Sequence, residues 1–194
     1  MRRIRIVVAY DGTNYCGWQI QPNGITIEEI LNRQISKLTG EDIRIIGASR
    51  TDSGVHALGN VAVFDTESRI PGDRFAYALN QKMPEDIVIV RSDEVQIDWH
   101  PRYQNEISKT YEYHIYNAKV RNPLKNRYST FVSFDLDVEK MRQGAKYILG
   151  EHDFASFCNV RTNAKDTVRT VHEIIIKEIP MDKFQASNWG QENS

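Results

Sequence analysis

The 194-residue sequence has only two cysteines, Cys16 and Cys158. They form no metal-ligand spacing, and no cysteine-built metal centre is expected. Two isolated thiols read as free cysteines in a reducing cytoplasm. No apolar run approaches the length needed to cross a bilayer. The start, Met1-Arg2-Arg3-Ile4-Arg5, is basic, but its apolar run is short and alternating, so a strand fits better than a signal peptide. There is also no excess of charge. Twenty-five Lys and Arg oppose 26 Asp and Glu, for a net charge of −1. Global charge therefore does not announce a nucleic-acid partner. What remains is the composition of a soluble globular protein, 40% hydrophobic and 26% charged, long enough for one large domain or two small ones.

The charge is segregated along the chain. From Arg102 to Arg127 the cations are Arg102, Lys109, Lys119, Arg121, Lys125 and Arg127, against Glu106 and Glu112. From Glu85 to Asp98 the acids are Glu85, Asp86, Asp93, Glu94 and Asp98, against Arg91. Such blocks permit a basic and an acidic face, although solvated charge without a partner explains them too.

One stretch organises the rest: Gly47-Ala48-Ser49-Arg50-Thr51-Asp52-Ser53-Gly54-Val55-His56-Ala57. The apolar run Ile43–Ile46 enters it and Val61–Phe64 leaves it. A loop between two strands that carries Arg-Thr-Asp can present a carboxylate with a cation two residues away, and loops on rigid sheets are where chemistry usually sits. Taken alone, Asp52-Ser53-Gly54 is also an ordinary turn.

In chain order, Ile4, Ile6 and Val8 on one face alternate with Arg3, Arg5 and Val7 on the other and predict a strand over 3–10. Tyr15 and Trp18 follow in an irregular loop. They form either a small core over the sheet end or a stacking surface for bases. Thr26 caps a helix whose apolar positions Ile27, Ile30, Leu31, Ile35 and Leu38 run to a Gly40 stop. Strands are expected at 43–46, 61–64 and 87–90, with a second helix from Pro71 to before Pro84. Strand, helix, strand, strand, helix, strand is the split βαβ, ferredoxin-like order.

A second unit is expected after Trp99-His100-Pro101-Arg102-Tyr103. It has strands at 109–116, 128–134 and 171–179, and a helix capped by Asp137. Glu151-His152-Asp153 invites a metal reading, but three consecutive side chains cannot all face one ion on a regular element. No metal is expected there.

Five segments, in order, resemble the TruA family of tRNA pseudouridine synthases. They are Tyr10-Asp-Gly-Thr-x-Tyr-x-Gly-Trp-Gln-x-Gln21; the Arg50-Thr-Asp-x-Gly-Val-His-Ala57 loop; Trp99-His-Pro-Arg-Tyr103; Lys109-Thr-Tyr-Glu-Tyr113; and Gly150-x-His-Asp-Phe-x-Ser-Phe157. The resemblance implies an α+β fold of two ferredoxin-like units with antiparallel sheets, the first over 1–98 and the second, incomplete, over 99–180. A polar tail over 181–194 follows. It implies isomerisation of uridine to pseudouridine in the anticodon stem-loop of tRNA, without a cofactor, by a cytoplasmic homodimer. Asp52 would be catalytic, as a nucleophile or as the stabiliser of a cationic sugar. Arg50 and His56 would hold the displaced RNA, and Tyr111 would receive the base. Duplex RNA is read through shape and phosphates, which suits the cations Arg102, Lys109, Lys119, Arg121, Lys125 and Arg127.

The resemblance stops after Pro180. Family members continue with a further strand and a helix whose arginine partners the catalytic aspartate, and nothing in 181–194 matches it. The expectation is a fragment or a shortened protein, impaired in catalysis. Two alternatives stay open: an RNA binder without activity, and a glycoside hydrolase, which would need a second carboxylate beside Asp52.

Overall fold

Alternation in the first strand sets the architecture. In the computed structural model, which describes residues 1–103, 108–158 and 166–179, strand β1 spans Arg2–Tyr10 and buries Ile4, Ile6, Val8 and Tyr10 on one face. Helix α1, Ile27–Thr39, covers that face with Ile27, Ile30, Leu31 and Ile35. It starts where Thr26 accepts the Glu29 N–H and stops at Gly40, which takes a left-handed φ of 77°. Helix α2, Phe75–Asn80, preceded by a turn of 3-10 helix at Gly72–Arg74, adds Phe75 and Leu79. Phe75 meets Phe64 edge-on at 5.3 Å. Full burial of each such side chain is worth about 1.5–3 kcal/mol.

The chain divides into two compact units, Met1–Glu112 and Tyr113–Ser194. The sheet of the first unit has the order β2-β3-β1-β4, with β2 Ile46–Gly47, β3 Ala57–Thr66 and β4 Ile87–Val95, and all its pairings are antiparallel. Strand β2 is shorter than the apolar run Ile43–Ile46 predicts. The Ile43 and Ile45 N–H groups donate to Ser36 Oγ and Asn32 Oδ1 on α1, both at 2.9 Å, so their donors are spent on the helix instead of a ladder. On the other sheet face, Arg3 and Arg5 make two-pronged ion pairs with Asp65 and Asp93. Arg2 pairs with Glu94, and Asp86 accepts the Tyr15 hydroxyl. Much of the acidic stretch 85–98 is thus consumed inside the unit and does not form an acidic face.

The second unit contains β5 Ile115–Asn117 and β6 Thr130–Val132, α3 Val138–Ala145, and the antiparallel pair β7 Gly150–Asp153 and β8 Val168–Val171. The β5–β6 pair is parallel, where antiparallel pairing was expected. The predicted strand 109–116 is reduced to its end, because β6 offers only three residues to pair with. The predicted strand 171–179 ends at Val171, since β7 has no residue left beyond Gly150 to face it. Asp137 caps α3 as expected; Tyr147, Ile148 and Leu149 lie beyond its end and are exposed. Neither cysteine is in a disulfide. No described helix is long and apolar enough to cross a membrane. The stretch Met181–Ser194, expected as a tail, lies outside the described residues.

Candidate active site

The loop after β2 leaves the sheet at Ala48, whose N–H still donates to Val61 C=O at 2.7 Å. Beyond it, inward and outward positions alternate. Ser49 and Thr51 are partly buried, and Arg50 and Asp52 are exposed. Three anchors set this pattern. Asn60 on β3 donates its side-chain N–H to Ser49 C=O at 3.0 Å. The Tyr10 hydroxyl, at the end of β1, lies 2.8 Å from Thr51 Oγ1. The Trp18 N–H donates to Thr51 C=O at 3.0 Å. Asp52 C=O then accepts from Val55 N–H and closes the turn, with Gly54 at a positive φ of 78°.

The first loop, 11–22, packs directly against this turn. Gly54 N–H and Ser53 Oγ both donate to Tyr15 C=O. A Cβ on Gly12 would stand 2.0 Å from Val55 O, and one on Gly17 2.4 Å from Thr51 O. Only glycine permits such an approach. Tyr15 and Trp18 are buried, Trp18 to 2% exposure, so they form the small core and not a stacking surface. Burial pushes the phenols of Tyr10 and Tyr15 up, and the Asp86 carboxylate raises that of Tyr15 further. Both therefore keep their protons to donate.

His56 is half-buried. Its Nδ1 accepts the Gly12 N–H at 3.2 Å and lies 3.1 Å from Asp11 Oδ1. A lone pair on Nδ1 serves the first contact and a proton the second, so the two contacts call for different tautomers of the ring.

The segment after β4 reaches the start of the same loop. Trp99 is held by Arg3, which donates to its carbonyl, and by Arg5, whose guanidinium lies 5.4 Å from its ring centre. Arg102 then donates through Nε to Gly47 C=O at 2.7 Å, and Lys109 Nζ approaches Ala48 C=O at 3.4 Å. Segments around Tyr10–Trp18 and Gly47–His56, far apart in sequence, thus lock together beside the exposed Asp52, and Arg102 and Lys109 reach the start of the same loop.

A family profile described as tRNA pseudouridine synthase matches residues 6–104 and 145–187. The chain is 47% identical over 191 residues to tRNA pseudouridine synthase A of Acetivibrio thermocellus, covering 98% of this chain and 78% of that protein. It is 48% identical over 177 residues to tRNA pseudouridine synthase A 2 of Clostridium perfringens, covering 91% and 72%. A third relative, tRNA pseudouridine synthase A of Ruminiclostridium cellulolyticum, is 45% identical over 192 residues, covering 98% and 78%. The chain belongs to the tRNA pseudouridine synthase family.

The profile of the tRNA pseudouridine synthases includes Arg50, Asp52, His56 and Arg102 but passes over 105–144, and with it Tyr111 and the other basic positions. Tyr111 lies in the first unit, outside any strand, with 72% of its surface exposed. Among the described residues the Asp52 carboxylate has no hydrogen-bonded or ion-paired partner, and Arg50 makes no ion pair with it. Lys119, Arg121, Lys125 and Arg127 belong to the second unit. There Lys119 pairs with Asp135 at 2.7 Å, Arg121 lies over Phe131 and Lys125 over Tyr116.

Asp153 is engaged within the second unit. It accepts from the Thr167 hydroxyl and the Ala155 N–H, which hold its carboxyl below the usual carboxylate range. Asn60 was not singled out in the sequence, where it reads only as a polar residue in a strand. Its one available signal is its polarity at an inward position of the alternating run that ends in Phe64.

Proposed function

We propose that the chain is a tRNA pseudouridine synthase that isomerises uridine in the anticodon stem-loop, with Asp52 as its catalytic carboxylate. The observation that carries this is the locking of the first loop and the strand residue Asn60 onto the turn that presents an outward-facing aspartate, in a chain of this family. The reaction breaks the N1–C1′ bond of uridine and joins C5 to C1′. The C5 proton is lost and N1 regains one, so no electron carrier is required. Asp52 attacks C1′ or stabilises its positive charge while the base turns.

The uridine must leave its stack to reach a carboxylate held on a loop. Arg50, exposed beside Asp52, and His56 hold the displaced strand in this reading, and Tyr111 receives the base on its ring face. Arg102, Lys109, Lys119, Arg121, Lys125 and Arg127 serve the phosphates. The first unit is read as a ferredoxin-like split βαβ. Its strand order supports this, since β3 lies between β1 and β2, the two strands that α1 connects. Residues 1–98 would supply the catalytic loop and 99–180 further RNA surface. A homodimer working in the cytoplasm, where tRNA is matured, completes the reading.

The test is Asp52→Asn, which removes the charge and keeps the size. Tritium release from C5-labelled tRNA uridine is expected to vanish while tRNA affinity stays within a factor of a few. Turnover within about tenfold of the parent, a difference of only ~1.4 kcal/mol in the barrier, would remove Asp52 from the mechanism.

A further inference from the structure

The catalytic assignment explains Asp52 but not the buried polar groups beneath it. Tyr10 and Asn60 are 5% and 8% exposed, on the sheet face that also buries Ile4, Ile6, Val8, Ala62 and Phe64. A polar group placed there costs stability unless it is hydrogen-bonded. Both direct their bonds at the two residues that alternate with Arg50 and Asp52. Asn60 Nδ2 donates to Ser49 C=O at 3.0 Å and makes a longer contact, 3.5 Å, with the Tyr10 oxygen. If the Tyr10 oxygen accepts there, its own proton goes to Thr51 Oγ1 at 2.8 Å. The direction of the chain is then fixed: Asn60 to Tyr10 to Thr51.

We infer that Tyr10, Asn60 and the Thr51 hydroxyl are positioning residues for the isomerisation, a relay that sets where the Asp52 carboxylate stands. This rests on the reading of Asp52 as the catalytic group. The physical need is clear from the backbone. After Ala48 the loop has lost its ladder partner, and the Asn60 amide replaces the strand neighbour at Ser49. Arg50 and Asp52 are themselves held by no side chain among the described residues. Their direction is inherited from Ser49 and Thr51 on either side. Misplacing a reacting group by about 1 Å can cost ~100-fold in rate. A relay that fixes both inward residues therefore acts on turnover more than on tRNA affinity.

The experiment compares Tyr10→Phe, Thr51→Val, their double variant, Thr51→Ser and Asn60→Asp with Asn80→Ala. Asn80 is the control because it also bridges a side-chain amide to strand backbone, exchanging two bonds with Ile89 in the same unit but away from the loop. Single-turnover pseudouridine formation and tRNA dissociation constants are measured well below each melting midpoint. Tyr10→Phe and Thr51→Val are each expected to lose about tenfold in rate, the size of one hydrogen bond's worth of barrier, with affinity nearly unchanged. The double variant should lose no more than the worse single one, because each partner is useless without the other.

Thr51→Ser should restore the rate, and Asn60→Asp, which puts an acceptor against Ser49 C=O, should not. Asn80→Ala should lose stability without losing rate. Parent-like rates in Tyr10→Phe and Thr51→Val, or additive losses, would overturn the relay. If Asp52→Asn keeps full activity, it is the catalytic reading that fails. Amide exchange then still judges the relay: Tyr10→Phe should speed exchange across Ser49–Val55 and Asn80→Ala should not. Unchanged exchange in that segment would overturn it whatever the activity.

Discussion

Gly12→Ala is expected to slow pseudouridine formation by about 100-fold through one methyl group that touches no substrate. The new Cβ would lie 2.0 Å from Val55 O and 2.7 Å from Val55 C, and real Cβ contacts essentially never fall below 3.0 Å. The two loops must therefore separate by about 1 Å or more, since neither obstacle is the free end of a flexible side chain. Val55 is three residues from Asp52 and its N–H donates to the Asp52 carbonyl, so the displacement passes straight into the Asp52 turn. Overpacking of this kind costs about 1–3 kcal/mol of stability, so a folded but less stable protein should be recovered. The assay is single-turnover conversion of an unmodified tRNA transcript by excess protein, beside Gly144→Ala as a control. A Cβ on Gly144 meets nothing within 4 Å, and alanine favours its helix by about 1 kcal/mol. A parent-like rate for Gly12→Ala would refute the reasoning, because the turn would then either absorb the shift or not matter to the chemistry.

Tyr111→Phe should be mild in turnover and Tyr111→Ala severe, since stacking resides in the ring face and is worth about 1–3 kcal/mol per base; equal damage from both would make the hydroxyl the functional group. tRNA affinity should fall steeply with salt, and neutralising Lys119, Arg121, Lys125 and Arg127 should flatten the log–log slope by about 0.7–0.9 for each phosphate no longer neutralised. No change in slope would put the RNA elsewhere. The Asp153 carboxyl, lowered by the Thr167 hydroxyl, stabilises the β7–β8 pair above its unfolded value and stops doing so as pH falls through the lower folded value. NMR of the Thr167 methyl during acid titration should report that loss at acid pH, and Asp153→Ala should remove it.

Elements specified by neighbours in sequence were legible in advance. Thr26 and Gly40 bracket α1 as their chemistry requires, and the alternation of Ile4, Ile6 and Val8 marks the buried face of β1. Elements decided by distant partners were not. Ile43 and Ile45 have strand composition, but α1 offers Ser36 and Asn32 to their N–H groups first. The acids of 85–98 read as a surface block because their partners, Arg2, Arg5 and Tyr15, lie more than 70 residues earlier. At the candidate site, Asp52 stood out because its surrounding string is long and specific. The depth of Trp18, the service of Asn60 and the reason for Gly12 depend on contacts across the fold, which periodicity does not encode.

The interlock of the first loop with the Asp52 turn also bears on when the geometry of that turn can arise as the chain folds. Tyr10 and Thr51 are 41 residues apart, Gly12 and His56 44, and Tyr15 and Asp86 71. Closing loops of that length costs entropy before any bond rewards it, so such contacts form late and together. The outward stance of Asp52 is therefore a product of cooperative assembly. A chain with α1 formed but β1 not yet seated between β3 and β4 would carry every residue of the turn and none of its geometry.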